Sequence, residues 1–181
     1  FYECTSLADV TIGENVTEIK NQAFYECTSL AFIEIPDSVK TIDEGAFASS
    51  GLQSISLGSG ITTLGSSSST STYGVFYGCK SLKSIVIPEK LTSIPIATFE
   101  ECSSLTTVVL HDKITSIGSE AFKSCTALSS IVIPGSVTSM SSYVFEGCSA
   151  LTNIYVKKYT VQPTGWDTRW LSGCTTATVK W

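Results

Sequence analysis

The sequence predicts a right-handed solenoid of parallel strands stacked coil on coil, with a second short strand ladder and 3₁₀-like turns, mostly β and loop. Three observations predict it. A Cys-x-x-Leu tetrad recurs every 23 residues, two apolar residues follow each leucine at +3 and +5, and a small or branched residue plus phenylalanine closes each period. Self-similarity at such a period marks units that bury their apolar face only against their neighbours.

The tetrad sets the register. It reads Cys4-Thr-Ser-Leu7, Cys27-Thr-Ser-Leu30, Cys79-Lys-Ser-Leu82, Cys102-Ser-Ser-Leu105, Cys125-Thr-Ala-Leu128 and Cys148-Ser-Ala-Leu151. One further copy, Phe47-Ala-Ser-Ser50-Gly-Leu52, carries serine for cysteine and is one residue short, which makes seven clear coils. Each leucine is followed by an alternating pair such as Val10/Ile12, Ile33/Ile35, Val108/Leu110 or Ile131/Ile133, the pattern of a short strand with one buried face. Pro36, Pro88 and Pro134, or Gly13 and Gly58, stand just after that strand and end it, because proline lacks the ladder donor and glycine turns freely. A second apolar pair three residues apart, as in Val39/Ile42 or Ile114/Ile117, marks the shorter extended segment. The closing stretch, as in Ala46-Phe47 or Ala121-Phe122, suits a tight 3₁₀-like turn.

Seven coils occupy residues 1–156, and 157–181 reads as a degenerate last repeat and C-terminal cap, with Leu171, Cys174, Val179 and Trp181 in repeat-like order. Solenoid ends expose core and need a cover, so Trp166 and Trp170 read first as cap core. The serine-rich insertion 65–74 has no apolar content and is expected to be a mobile surface loop, dispensable for folding. Phe1-Tyr2-Glu3-Cys4 copies Phe24-Tyr25-Glu26-Cys27, so residue 1 is expected to fall inside a repeat of a longer protein.

Composition excludes several function classes. The chain is 43% hydrophobic, enough to fill a core, and its net charge of −5 repels nucleic acid and anionic lipid. No apolar run approaches the roughly 20 residues a membrane helix needs. Seven cysteines invite a disulfide reading, but they stand one per coil in a hydrophobic register, which favours a ladder of buried free thiols that includes Cys4. A one-dimensional ladder cannot bring four ligands around zinc, so no metal and no cofactor is expected. His111 replaces a turn proline and has no motif-linked nucleophile, and no phosphate loop or suggestive carboxylate pair is present, so no catalytic residue is assigned. Asn15-Val16-Thr17 matches a glycosylation acceptor, a triplet common by chance.

The consensus Cys-x-x-Leu-x-x-Ile-x-Ile-Pro-x-x-Val-x-x-Ile-x-x-x-Ala-Phe-x-x-Cys resembles the BspA-type (Treponema pallidum-like) leucine-rich repeats, most nearly over Cys27 to Phe47 and Cys125 to Phe145. The resemblance implies a leucine-rich-repeat solenoid. It also implies a secreted or cell-surface protein of a host-associated microbe, engaged in adhesion to host or neighbouring-cell proteins, including extracellular-matrix proteins. The family has no shared catalytic residues to carry over.

Function in a solenoid lies in the variable residues between fixed core positions. The residue between the two buried positions of each strand must point outward, giving the column Thr11, Glu34, Ser56, Val86, Val109, Val132 and Tyr155. Its last four members make an apolar stripe where exposure favours polar residues. Glu34, Val86, Val109, Val132 and Tyr155 are therefore the candidate binding residues for a protein partner, and Phe32, Ser84, Thr107, Ser130 and Asn153 form the flanking column. A glycan stacked on Trp166, Trp170 and Tyr155 is one alternative. A passive stalk or spacer is another.

Overall fold

The computed structural model describes residues 1–65 and 73–181, so residues 66–72 of the expected loop 65–74 lie outside the described residues. Thirteen short strands follow in chain order: β1 (Glu18–Ile19), β2 (Phe32–Glu34), β3 (Thr41–Ile42), β4 (Ser54–Ser56), β5 (Thr63–Leu64), β6 (Ser84–Val86), β7 (Ser93–Ile94), β8 (Thr107–Val109), β9 (Ser116–Ile117), β10 (Ser130–Ile133), β11 (Ser139–Met140), β12 (Asn153–Val156) and β13 (Thr178–Lys180). Every pairing is parallel. The main strands pair as β2 with β4, β6 with β8, and β12 with both β10 and β13, while β1-β3-β5 and β7-β9-β11 form the second ladder. The first coil differs from expectation, since Val10 to Ile12 forms no strand.

Register follows the repeat. Ser130 lies opposite Asn153 and Ile131 opposite Ile154, one 23-residue period on, so each coil repeats its neighbour side chain for side chain. Phe32 lies opposite Ser54, one residue short of the period, where the serine-bearing coil has lost a residue. Gly51 absorbs the loss. Its N–H donates to the Cys27 carbonyl at 3.1 Å, and a Cβ at that position would lie 2.0 Å from the Thr28 carbonyl oxygen.

The third side of the coil is a chain of turns. Tyr25 donates to Gln22 and Cys27 to Phe24, the i−3 bonds of a 3₁₀ turn, while Phe24, Phe76, Phe99 and Phe122 donate forward to carbonyls of the next coil. Left-handed residues interrupt the turns and keep them from winding into a helix. The position before each tetrad cysteine has positive φ, held by Glu3, Glu26, Gly78, Glu101, Ser124 and Gly147. A Cβ in that region costs roughly 1 kcal/mol, so Ser124→Gly is expected to stabilise the fold by somewhat under 1 kcal/mol after glycine's own entropy loss. Urea unfolding checks it, and a lower midpoint would show that Ser124 makes a contact worth more than the strain.

The core is a set of columns. Phe24, Phe47, Phe76, Phe99, Phe122 and Phe145 stack ring on ring, with centroids 5.2 to 5.7 Å apart and planes within 11°. Trp170 ends the column, edge-on to Phe145 at 6.0 Å. Trp166 bridges to Met140 at the end of the second ladder, and β13 adds one more strand beyond β12. Both indole N–H groups are satisfied, that of Trp166 by the Val137 carbonyl and that of Trp170 by Gln162.

The cysteines do more than fill space. Each thiol of Cys27, Cys79, Cys102, Cys125 and Cys148 donates to the carbonyl of the phenylalanine in the preceding coil, at 3.0 to 3.1 Å. That carbonyl already accepts the N–H of its own cysteine three residues on, as Phe99 accepts from Cys102, so the thiol uses its second lone pair. Ser50 keeps a polar group in the column and lies 3.4 Å from the Cys79 sulfur.

Cys4 departs from the expected ladder. It is exposed, in the first coil of this chain, and Leu7 and Val10 beside it are only partly buried. The other six cysteines are buried, and all seven are free. Burial pushes the thiols of Cys79 and Cys148 up to about 12 and those of Cys102 and Cys125 well above the ordinary value. Thiolate is the reactive form, so at mildly alkaline pH the folded protein is expected to give one fast thiol, that of Cys4, in a disulfide-exchange titration. In denaturant the count rises to seven. Two or more fast thiols in the folded protein would contradict the ladder.

Candidate functional site

Alternation along each main strand turns one side chain in and its neighbours out. Ile33, Ile85, Val108, Ile131 and Ile154 point into the core, whereas the residues after them stand in water. Val86 is 67% exposed, Val109 50%, Val132 43% and Tyr155 42%. The pairing places Val86 beside Val109 and Val132 beside Tyr155. These four form one stripe over coils four to seven, at about 4.8 Å per step. Lys180 closes its far end with its ammonium 5.0 Å from the Tyr155 ring centroid.

Over coils one to three the same face is different. Thr11, Glu34 and Ser56 continue the column, and Phe32 in the flanking column is 52% exposed. Around them lies a groove of about 560 Å³ whose lining includes the carboxylates of Asp9, Glu14, Glu34 and Asp37. Its lining has no lysine, arginine or histidine. Asp37 accepts from the Ser59 N–H at 2.7 Å and hydroxyl at 3.0 Å, and these bonds hold its carboxyl below the usual range.

Two further clusters lie on the turn side. Tyr2 stacks on Tyr25 at 5.0 Å, and Tyr73 bridges from Tyr25 at 5.7 Å to Tyr77 at 5.1 Å. Tyr73 thereby fills the slot where the third repeat offers only Ala48. This corrects the expectation that the 65–74 insertion has nothing to pack: tyrosine follows phenylalanine in three repeats, but Tyr73 comes from the insertion and has no repeat position, so the period did not reveal its place. Farther along the same column, Lys123 lies 3.1 Å from Glu100 and 2.7 Å from Glu120. Glu120 and then Glu100 hold the lysine well above its usual range, while burial raises the Glu100 carboxyl despite its lysine partner. This cluster ties neighbouring coils together.

The remaining candidates resolve structurally. Trp166 and Trp170 are each 3% exposed, which removes them as stacking platforms for a sugar. His111 has its Nε2 2.9 Å from the Pro88 carbonyl, and its Nδ1 accepts the Lys113 N–H at 3.2 Å, so the ring holds a turn. Among the described residues, no three His, Cys, Asp or Glu side chains converge as a metal would require. Among them too, no helix is long and apolar enough to cross a membrane.

The family pattern described as BspA type Leucine rich repeat region matches residues 1–72 and 71–168, in six copies. No curated protein matches the chain in sequence. A leucine-rich repeat protein from Bacteroides ovatus ATCC 8483 is 28% identical with a TM-score of 0.77, over 100% of this chain and 49% of its own. The T. pallidum leucine-rich repeat protein is 28% identical with a TM-score of 0.51, over 77% of this chain and 52% of its own. A leucine rich cell surface protein from Faecalibacterium prausnitzii A2-165 is 29% identical with a TM-score of 0.53, over 83% of this chain and 46% of its own. The chain thus spans about half the length of the solved structures it matches.

Proposed function

Because this chain belongs to the BspA-type leucine-rich repeat family, we propose that it is a non-catalytic binding module of a secreted or cell-surface protein, adhering to host or neighbouring-cell proteins. Its contact surface is the outward face of the main strands. One observation carries the reading: four consecutive coils put Val86, Val109, Val132 and Tyr155 into water, at positions where the first three coils put Thr11, Glu34 and Ser56. An apolar stripe framed by polar columns is the composition of an interaction site, and rigid stacking presents it without an ordering cost.

Val109→Lys with Val132→Lys tests this. Both side chains point outward, so thermal unfolding is expected to stay within a degree or two of wild type. Binding of the wild-type chain to a panel of extracellular-matrix and cell-surface proteins should yield a partner, and the double variant should lose it by more than about tenfold. Unchanged affinity would remove the stripe from the site. Wild-type binding only on a glycan array, with no protein partner, would replace the reading by carbohydrate recognition. Binding to neither would leave a spacer.

A further inference from the structure

We infer that the partner's contact segment is cationic where it meets coils one to three and apolar where it meets coils four to seven, so it lies on the strand face in one orientation. This rests on the strand face being the contact surface.

The face is chemically split. Its N-terminal half holds the groove with Asp9, Glu14, Glu34 and Asp37 around the exposed Phe32 ring. Among the described residues no lysine or arginine lies within ion-pairing distance of these four carboxylates. The charge imbalance extends beyond the groove: residues 1–65 carry nine carboxylates against two lysines, and the rest of the chain seven against nine lysines and arginine. Of the two early lysines, Lys20 pairs with Glu18, and Lys40, whose ammonium donates to the Asp37 backbone carbonyl, offsets the charge of Asp37 in part and forms no ion pair with it. A concave surface lined by one sign of charge focuses its field outward and attracts the opposite sign.

A small cation would satisfy the charge alone. No three ligands converge for a metal among the described residues, and Phe32 gives the groove an aromatic floor suited to a lysine or arginine stem. The groove also opens directly onto the valine stripe through Ser56, in the same column. From Glu34 to Tyr155 the column spans roughly 24 Å, a length that about seven extended residues cover. At the far end Lys180 already occupies the Tyr155 ring, so a second cation is repelled there and welcomed only at the N-terminal end. The two halves together set the orientation.

The test uses two labelled peptides. One alternates lysine with threonine over its first half and valine with threonine over its second; the other has glutamate for every lysine. Fluorescence anisotropy should show the lysine peptide bound at least about tenfold tighter than the glutamate peptide, with the difference shrinking as salt rises. Glu34→Gln with Asp37→Asn should weaken the lysine peptide by about tenfold at unchanged melting temperature. A nitroxide on the lysine end should broaden the Thr11 and Glu34 amide signals and spare Tyr155. Equal binding of the two peptides, indifference to the acidic substitutions, or binding of neither peptide overturns the inference. The strand-face reading fails separately, through persistence of the partner in the Val109→Lys, Val132→Lys variant.

Discussion

Replacing Phe99 by alanine is expected to cost about 3–5 kcal/mol of folding free energy. The ring is fully buried, and its neighbours Phe76 and Phe122 lie 5.5 Å away on either side with planes tilted by 2° and 11°. Truncation therefore opens a void shared by three coils, and it removes two stacking contacts at once. Stability in a solenoid is a sum of coil and interface contributions, so both interfaces of the fourth coil weaken together. Urea unfolding followed by circular dichroism should show a large fall in midpoint. Val86→Ala, on the exposed column of the same coil, should move it by less than about 0.5 kcal/mol. A Phe99→Ala cost near that of Val86→Ala would mean that the phenylalanine column does not hold the coils together.

Gly51→Ala is expected to destabilise by on the order of 3 kcal/mol, a large effect for a single added methyl group. The new Cβ would meet the Thr28 carbonyl oxygen at 2.0 Å and its carbon at 2.8 Å, both backbone atoms that cannot rotate away. The close approach exists because this coil is one residue short, so Leu52 reaches its buried position only by drawing the chain against the preceding coil. Inserting one residue between Ser50 and Gly51 should accordingly rescue Gly51→Ala. Thermal unfolding of the single and inserted variants decides it. An undisturbed single variant would show that the turn at Thr28 yields easily.

Much of this was legible in the sequence, for a physical reason. A 23-residue coil stacked on copies of itself forces equivalent residues into columns, so reading one repeat identifies the core positions of all. Ile33, Phe47 and Cys102 are buried where the period puts them, and Val86, Val109 and Val132 are exposed where alternation puts them. What the period could not supply depends on neighbours across coils or on the ends. Cys4 has the tetrad sequence but is exposed in the first coil of this chain. The thiol bond to a phenylalanine carbonyl joins residues 26 apart, as in Cys125 to Phe99, an offset that matches no motif. The acidic groove was hidden because only Glu14 and Asp37 share a repeat position, while Asp9 and Glu34 stand at two others, and the four line one groove only when the coils stack. Left-handed backbone at Glu101 and Ser124 was equally hidden, since glycine marks that position only at Gly78, Gly147 and, in the degenerate last repeat, Gly173.

The strand face as contact surface is tested most directly by methyl-selective nuclear magnetic resonance of the chain with its protein partner. Binding is predicted to shift the methyl signals of Val86, Val109 and Val132 while those of the buried Ile85, Ile131 and Leu128 stay in place. Shifts confined to the C-terminal cap around Val161 and Leu171, with the three stripe valines unmoved, would contradict the account.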